Sequence, residues 1–194
     1  MPKQNRVPDA DPKCTVHGAK SIDDVVVDKE TNGLKDVVVY LKEIHEGKAF
    51  ESKEYVLDQQ GCLYVPHVLI VPAGKTVKIT SSDDTAHNVH IFAKVNEGEN
   101  KGLPKKGLFF NYTPEFPEDI SVRCDVHPWM DSFLVVKDHP YVALTDSQGN
   151  FTLAEVPAGN YVVVAQHLNL GTVREQAVGV VTNGTSIVDF QMSK

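Results

Sequence analysis

The sequence predicts an all-β fold, and three observations indicate it. Short runs rich in valine and isoleucine recur along the chain, turn-forming residues separate them, and no long stretch shows helical periodicity. Short strands at close spacing, with turn residues between them, are typical of a sandwich or a barrel. The 194 residues suffice for one large domain or two small ones.

The first predicted strands follow a polar, proline-punctuated N-terminal arm, residues 1–22. In chain order, the predicted strands are 24–27, 36–44, 66–71, 75–80, 87–92, 120–124 and 132–137. The segments TNG, PAG and SSDD between them supply residues that turns prefer. The stretch 95–119 breaks the pattern, and it predicts a long loop or a distorted strand.

A second, smaller β unit is predicted after His139, where the strand pattern restarts. DSQGN and PAG predict turns between valine-rich runs, and the runs VREQAVGVV and SIVDFQM follow. The sequence therefore predicts an arm at 1–22, a first β domain at 23–138 and a second at 139–194.

Charge and hydropathy exclude some classes of function. The chain has 19 basic and 26 acidic residues, a formal net charge of −7, whereas a nucleic-acid-binding protein normally carries a basic face. No run of about 18 apolar residues occurs, so no membrane span is predicted. The first residues contain no apolar signal-peptide core, which leaves a cytosolic protein or one whose signal peptide has been removed.

In the segment CDVHPWM, two residues separate Cys124 from His127, and two separate His127 from Met130. In the strand before it, Ile120, Val122 and Cys124 share one face because side chains alternate along a strand. The next predicted strand begins after Met130, so the three side chains can converge at one end of a sandwich. Two histidines, a cysteine and a weak axial methionine form a type 1 (blue) copper electron-transfer site.

The segment HNVHIF supplies two candidates for the second histidine. Alternation puts His87, Val89 and Ile91 on the apolar face, and Asn88 and His90 on the other face. His87 also follows the turn-rich segment SSDDTA, which places it at the end of a strand. We therefore predict His87 as the second histidine ligand.

Several other functions compete with electron transfer. A zinc site needs only the cysteine and two histidines, whereas a cysteine protease needs an electropositive setting for its thiol that is not visible here. Copper delivery or storage usually relies on tracts of methionine or histidine, and only three methionines are present. A copper oxidase or nitrite reductase needs further histidine clusters, and no His-x-His pair occurs. A secreted binding module with a structural metal is the last alternative. We therefore expect a non-enzymatic protein.

The segments AHNVH and CDVHPWM resemble the ligand motifs of the cupredoxins, particularly those of the amicyanin and plastocyanin-like group. The resemblance implies a Greek-key sandwich that binds one type 1 copper ion through His87, Cys124, His127 and Met130. In that group the position of His90 is not a ligand, which agrees with the alternation. In that group the residue at the position of Asn88 ties the two ligand loops together through hydrogen bonds around the cysteine sulfur, and the resemblance implies the same role for Asn88.

Two other parts of the chain show further resemblances. TDSQGNFTLAEVPAGNYVV resembles carboxypeptidase-regulatory-like or transthyretin-like β domains. LDQQGCLYVPHVLIVPAGKTVKI resembles bacterial secreted plastocyanin-like proteins, whose two further cysteines correspond to Cys14 and Cys62. These could pair as a disulfide in an oxidising compartment, which predicts a periplasmic or secreted protein. The alternative is a second metal site on Cys14 and His17, because CTVHG echoes CDVHP.

The connecting loop predicts how electrons enter and leave. The outer edge of His127 is expected to reach solvent and act as the electron port, with Pro128 and Trp129 as a docking surface beside it. The expected partner is a redox protein such as a cytochrome c, a dehydrogenase or a reductase.

Overall fold

The computed structural model describes residues 4–6, 14, 21–23 and 25–193, with only the backbone described for 4–6 and 21–23. It is all-β, and no helix occurs between residues 25 and 193. None of the described residues forms a helix long and apolar enough to cross a membrane. The chain divides into two compact units.

The strands within the described residues are numbered in chain order. They are β1 Gln4–Arg6, β2 Ser21–Asp23, β3 Val38–Leu41, β4 Tyr55–Gln59, β5 Tyr64–Val65, β6 Val68–Pro72, β7 Val77–Ser81, β8 His87–Phe92, β9 Glu99–Leu103, β10 Phe109–Tyr112, β11 Glu118–Arg123, β12 Asp131–Lys137, β13 Val142–Leu144, β14 Gly159–His167 and β15 Thr172–Val180. Strands β1 and β2 form a separate antiparallel pair.

Within the first unit, the segment Ser52–Asp138 forms two sheets. One has the strand order β10-β7-β4-β5, and the other has the order β6-β12-β11-β8-β9. Leu57 and Ile79 of the first sheet and Ile120 and Leu134 of the second belong to one core cluster and are fully buried. The hydrophobic effect therefore holds the two sheets together, and backbone hydrogen bonds hold β8, β11 and β12 side by side.

Strand alternation follows the sequence prediction in the strands that matter for function. In β8 the side chains of His87, Val89 and Ile91 are buried, and those of Asn88 and His90 are partly exposed. Ile120 and Val122 of β11 are buried in the same way, and so is Cys124 just beyond it. One face of each strand covers the core, so the period of two fixes which side chains point inward.

The stretch 95–119 is more regular than a loop. It contains β9, which forms a hairpin with β8, and β10, which pairs with β7. The burial pattern of β9 leaves most of its residues partly or fully exposed. Because an edge strand facing water lacks an apolar alternation, no clear strand signal is visible in this part of the sequence. Strand β4 was not predicted, and in the described part of the predicted strand 24–27, residues 25–27, only Val27 pairs, in a single bridge with Leu34.

The second unit joins two distant segments, Val25–Glu51 and the chain from His139 onward. Its sheet has the order β13-β3-β14-β15, and its core includes Val39 and Leu41 of β3. The segment that contains β3 was assigned by sequence to the first β domain, at 23–138, and this assignment is wrong. A valine-rich strand carries no local signal for the sheet that it joins. Residues 186–192, SIVDFQM, lie outside the strands.

Glu118, at the start of β11, holds the loop between β8 and β9. Its carboxylate accepts hydrogen bonds from the backbone amides of Lys94, Val95 and Asn96 and from the Asn96 side chain. Burial alone raises the pKa of Glu118, but these hydrogen bonds outweigh it and hold the pKa below its ordinary value. Because the pKa is depressed in the folded state, the stabilisation is present above the unfolded pKa and is lost as the pH falls through the folded pKa.

We therefore expect Glu118→Gln to lower the hydrogen-exchange protection of the amides at 94–96 at neutral pH. The wild-type protection should approach that of the variant as the pH falls below about 4, where an ordinary glutamate is protonated. Glu115→Gln, at an exposed position nearby, is the matched control and should change nothing. Equal protection in the two variants would contradict the role of Glu118 in holding this loop.

Candidate metal centre

The predicted ligands lie where strands of the five-stranded sheet begin and end. His87 opens β8, Cys124 follows directly after β11, and Met130 directly precedes β12. Since β8 and β11 are antiparallel, the start of one and the end of the other share an edge. The turn between β11 and β12 is closed by two backbone hydrogen bonds, from Met130 N to His127 O (2.9 Å) and from Cys124 N to Met130 O (3.1 Å). This turn brings His127 to the same edge.

Two imidazole nitrogens and one sulfur converge at this edge. His87 Nδ1 lies 2.9 Å from His127 Nδ1, and Cys124 Sγ lies 3.8 Å from the same nitrogen of His127. All three ligand atoms lie within 4.8 Å of one another. Their residues are at most 3% exposed, and Met130, at 1%, belongs to the same core cluster as Cys124. The arrangement can hold a single metal ion away from water.

Asp83 fixes the orientation of His87. Its Oδ2 lies 2.9 Å from His87 Nε2, and the carboxylate also accepts hydrogen bonds from the amides of Gly61 (2.7 Å) and Cys62 (2.8 Å). A carboxylate on the outer nitrogen of a ligating histidine selects the tautomer and directs the other nitrogen to the metal. Asp83 was not predicted as a site residue, although it lies only four residues before His87 in the sequence.

Asn88 links the two segments that carry His87 and Cys124. Its Oδ1 accepts hydrogen bonds from Cys124 Sγ (3.4 Å) and from the amides of Asp125 (2.6 Å) and Val126 (3.4 Å). The side-chain amide nitrogen of Asn88 donates to Asn100 Oδ1 and to Asp125 Oδ2, both at 2.8 Å. Asn88 therefore ties β8 to the ligand turn and places a dipole beside the sulfur.

A second link, from Tyr64 and Gln59, was also missed by sequence. Tyr64 Oη lies 2.9 Å from Asn88 O and 3.1 Å from Arg123 O, and Gln59 Nε2 donates to Tyr64 Oη at 3.1 Å. Tyr64 is buried, which raises its pKa and keeps its hydroxyl protonated. Tyr64 and Gln59 thus connect the backbone of β8 to the backbone at the end of β11. No local sequence pattern reveals this contact.

The electrostatics of the pocket favour a thiolate. Burial by itself raises the pKa of Cys124, but hydrogen bonds from the His87 side chain and from the amides of Asn88 and His127 outweigh it and lower the pKa. Burial likewise lowers the pKa of His87, and hydrogen bonds to Asp83 and Cys124 overcome this and raise the pKa to about 9. The pocket thus stabilises a negative sulfur beside a positive group, a position that a metal cation can take.

Cys14 and Cys62 form a disulfide, so the pairing is correct. The bridge lies beside the ligand pocket, because Cys14 Sγ is 3.7 Å from His127 Nε2. The predicted solvent exposure of the outer edge of His127 is wrong, since the residue is only 3% exposed. His17, the alternative partner of Cys14, lies outside the described residues.

The predicted docking residues differ in exposure. Pro128 is exposed, but Trp129 is only 9% exposed and its indole Nε1 donates to Cys62 O at 3.1 Å. The expectation that Trp129 presents a docking surface is therefore wrong, because its ring packs in the core beside the disulfide. Val126, at 57% exposure, is an apolar side chain that this turn presents to solvent together with Pro128.

Two matched substitutions distinguish the buried histidine from its exposed neighbour. His87→Ala is expected to abolish specific copper binding, because it removes one of the two converging nitrogens. His90→Ala should leave the stoichiometry at one ion, because His90 points to the other face and contacts Asp125 instead. Titration with Cu(II), followed by visible absorption, measures both. Loss of binding in His90→Ala with retention in His87→Ala would reverse the assignment.

The chain is similar to one family model and to several solved structures. Residues 134–193 match the family model of the carboxypeptidase regulatory-like domain. No curated protein matches the chain. A purple cupredoxin from Nitrosopumilus maritimus is similar at 22% identity and a TM-score of 0.38, covering 43% of this chain and 100% of its own.

Two further solved structures are similar to about half of the chain. A methionine-to-alanine mutant of amicyanin with Cu(I) is 23% identical with a TM-score of 0.39, over 51% of this chain and 98% of that chain. The copper-containing nitrite reductase of Thermus scotoductus SA-01 is 23% identical with a TM-score of 0.38, over 50% of this chain and 25% of that chain. The purple cupredoxin, the amicyanin mutant and the nitrite reductase are among the solved structures to which the chain is similar, and its residues 134–193 match the carboxypeptidase regulatory-like domain.

Proposed function

We propose that this chain is a type 1 copper protein that carries single electrons between redox partners and is not itself an enzyme. The observation that supports it is the buried convergence of His87 Nδ1, His127 Nδ1 and Cys124 Sγ, beside Met130. This donor set, a thiolate with two imidazoles and a thioether, suits copper in both its +1 and +2 states. The bound ion would supply reversible one-electron redox chemistry.

The residues around the pocket supply rigidity, which electron transfer requires because a site that rearranges reacts slowly. Asp83 fixes the His87 ring, and Asn88 holds the turn after Cys124. All the ligands stand at strand ends or in a turn closed by backbone hydrogen bonds. The ligand positions therefore depend little on which oxidation state is bound.

A carrier is favoured over a copper enzyme by the distribution of ligand side chains. Among the residues that the structure describes, three groups of side chains could each hold a metal ion. Every two of these groups share a residue, so all three lie around the same place in the fold. A catalytic copper would need an open coordination position of its own, supplied by a further histidine cluster. The disulfide favours an oxidising compartment, such as the periplasm or the exterior of the cell.

The partner is proposed to be a redox protein, such as a cytochrome c, a dehydrogenase or a reductase. The part of the ligand turn that faces solvent comprises Asp125, Val126 and Pro128. This is the exposed surface nearest in sequence to Cys124 and His127, and we propose that the partner docks there. The buried Trp129 takes no direct part.

The visible absorption spectrum of the full chain tests the proposal. After one equivalent of Cu(II), an intense thiolate-to-copper charge-transfer band should appear, disappear on reduction and return on reoxidation. A colourless protein that binds copper or zinc stoichiometrically would overturn electron transfer. That result would favour copper delivery, storage or a structural metal instead.

A further inference from the structure

We infer that the Cys14–Cys62 bridge is the closed form of a second metal site, a dithiol site for Cu(I) that forms when the bridge is reduced. The sequence left two alternatives for these cysteines, a disulfide and a metal site. The geometry allows both: the disulfide when the two cysteines are oxidised, and the metal site when they are reduced. The inference rests on the proposed function only in that His127 also belongs to the first site.

The atoms of the second site already lie together. Cys14 Sγ, Cys62 Sγ and a ring nitrogen of His127 fall within 4.8 Å of one another. Two thiolates on one ion, each about 2.3 Å from it, can lie no more than about 4.6 Å apart. The two Cα atoms are 5.5 Å apart, so the separated sulfurs can reach such positions with little movement of the backbone.

The two sites face opposite nitrogens of one ring. His127 Nδ1 faces His87 and Cys124, whereas His127 Nε2 faces Cys14. A neutral imidazole has a single nitrogen that can accept a metal, so His127 serves one site at a time in this form. An ion on the dithiol side would therefore occupy a position next to the first site.

The turn that carries Cys62 is held without the bridge. The Cys62 amide donates to Asp83, and its carbonyl accepts from the Trp129 indole at 3.1 Å. Opening the bridge leaves these contacts intact, so that Cys62 stays beside the pocket. Cys14 and Cys62 are 3% and 1% exposed, and such a shielded pair of thiolates suits a soft ion more than a hydrated one.

The chemistry balances with a dithiol as reductant. The dithiol gives two electrons and two protons to the bridge, its own two sulfurs join as a disulfide, and Cys14 and Cys62 become thiols. Cu(I) then displaces the two thiol protons and keeps its oxidation state.

The test uses the full chain with Cys124→Ser, because this variant disables the inner site without touching the bridge. Cu(I) is titrated against a Cu(I)-specific chelator before and after reduction of the bridge, and alkylation with mass spectrometry counts the free thiols. We expect one more equivalent of Cu(I) to be bound after reduction. Adding Cys14→Ser should remove that equivalent. Adding His127→Ala should weaken it by at least about tenfold, since even second-shell changes weaken metal sites that much.

Two results would overturn the inference. One is an unchanged stoichiometry when both thiols are shown to be free. The other is loss of the strand signal in circular dichroism on reduction, because the site requires a folded turn. Neither result bears on the type 1 site, which is tested separately by the visible band of wild-type protein with its bridge closed.

Discussion

Replacing Cys124 by serine is expected to abolish the visible charge-transfer absorption of the copper-loaded protein. The band arises from a thiolate bound to copper, and a serine hydroxyl does not ionise at neutral pH to replace it. The fold should survive, because Asn88 Oδ1 can accept a hydrogen bond from a serine hydroxyl as it does from the thiol. We therefore expect the free energy of unfolding of the apo protein to change by only about 1 kcal/mol.

Met130→Leu is the matched control for this prediction. The two side chains have similar volumes, and such exchanges in a core usually cost less than about 1.5 kcal/mol. The axial thioether bonds weakly, so its loss should shift the absorption band and the reduction potential without removing the colour. Absorption spectra of the two variants, each loaded with one equivalent of Cu(II), provide the comparison.

The outcome separates the proposed ligands from one another. A full band in Cys124→Ser would show that the sulfur does not bind the metal, and the assignment would fail. Loss of the band in Met130→Leu, with the protein still folded, would instead mean that Met130 is a strong ligand. The pocket would then be a different kind of copper site.

The sequence predicted which side chains converge in the candidate pocket because its signals are local. Alternation along β8 separates His87 from His90, and the two-residue gaps in CDVHPWM place Cys124, His127 and Met130 around one turn. Both patterns follow from strand geometry within a few residues. Nothing distant in the chain is needed to interpret them.

The features that the sequence did not reveal depend on distant contacts. The burial of His127 depends on Cys14, which is 113 residues away, and the burial of Trp129 on Cys62, 67 residues away. Strand β3 has the valine-rich pattern of any core strand, and only its pairing with β13 and β14 shows that it belongs to the second unit. Local periodicity shows that a strand has a buried face, but not what covers it.

Removing the Cys14–Cys62 bridge is expected to cost about 4 kcal/mol of unfolding free energy, by the chain-entropy estimate for a closed loop of this length. The two cysteines are 48 residues apart, so the bridge restricts a long segment of the unfolded chain. The suitable variant is Cys14→Ala with Cys62→Ala in the apo protein, because it leaves no unpaired partner to exchange with Cys124. The alanine at position 62 keeps the amide that donates to Asp83.

Tryptophan fluorescence measures the unfolding of the first unit, which contains the bridge. Trp129 is the only tryptophan of the chain and lies in the first unit, where its indole contacts Cys62 O. In guanidinium chloride the unfolding midpoint of the double variant should fall by about 1 M, given a slope of a few kcal/mol per molar. The slope itself should rise, because the unfolded chain expands and exposes more surface when the cross-link is absent.

The same variant tests whether the bridge also shields the metal ligand. Because Cys14 Sγ lies 3.7 Å from His127 Nε2, its removal should increase acylation of His127 by diethyl pyrocarbonate at neutral pH. His45, exposed in the second unit, gives the reference rate within the same molecule. A loss of stability below about 1 kcal/mol, well short of the loop-closure estimate, would show that the bridge contributes little to the fold. An unchanged acylation rate at His127 would show that other groups cover its ring.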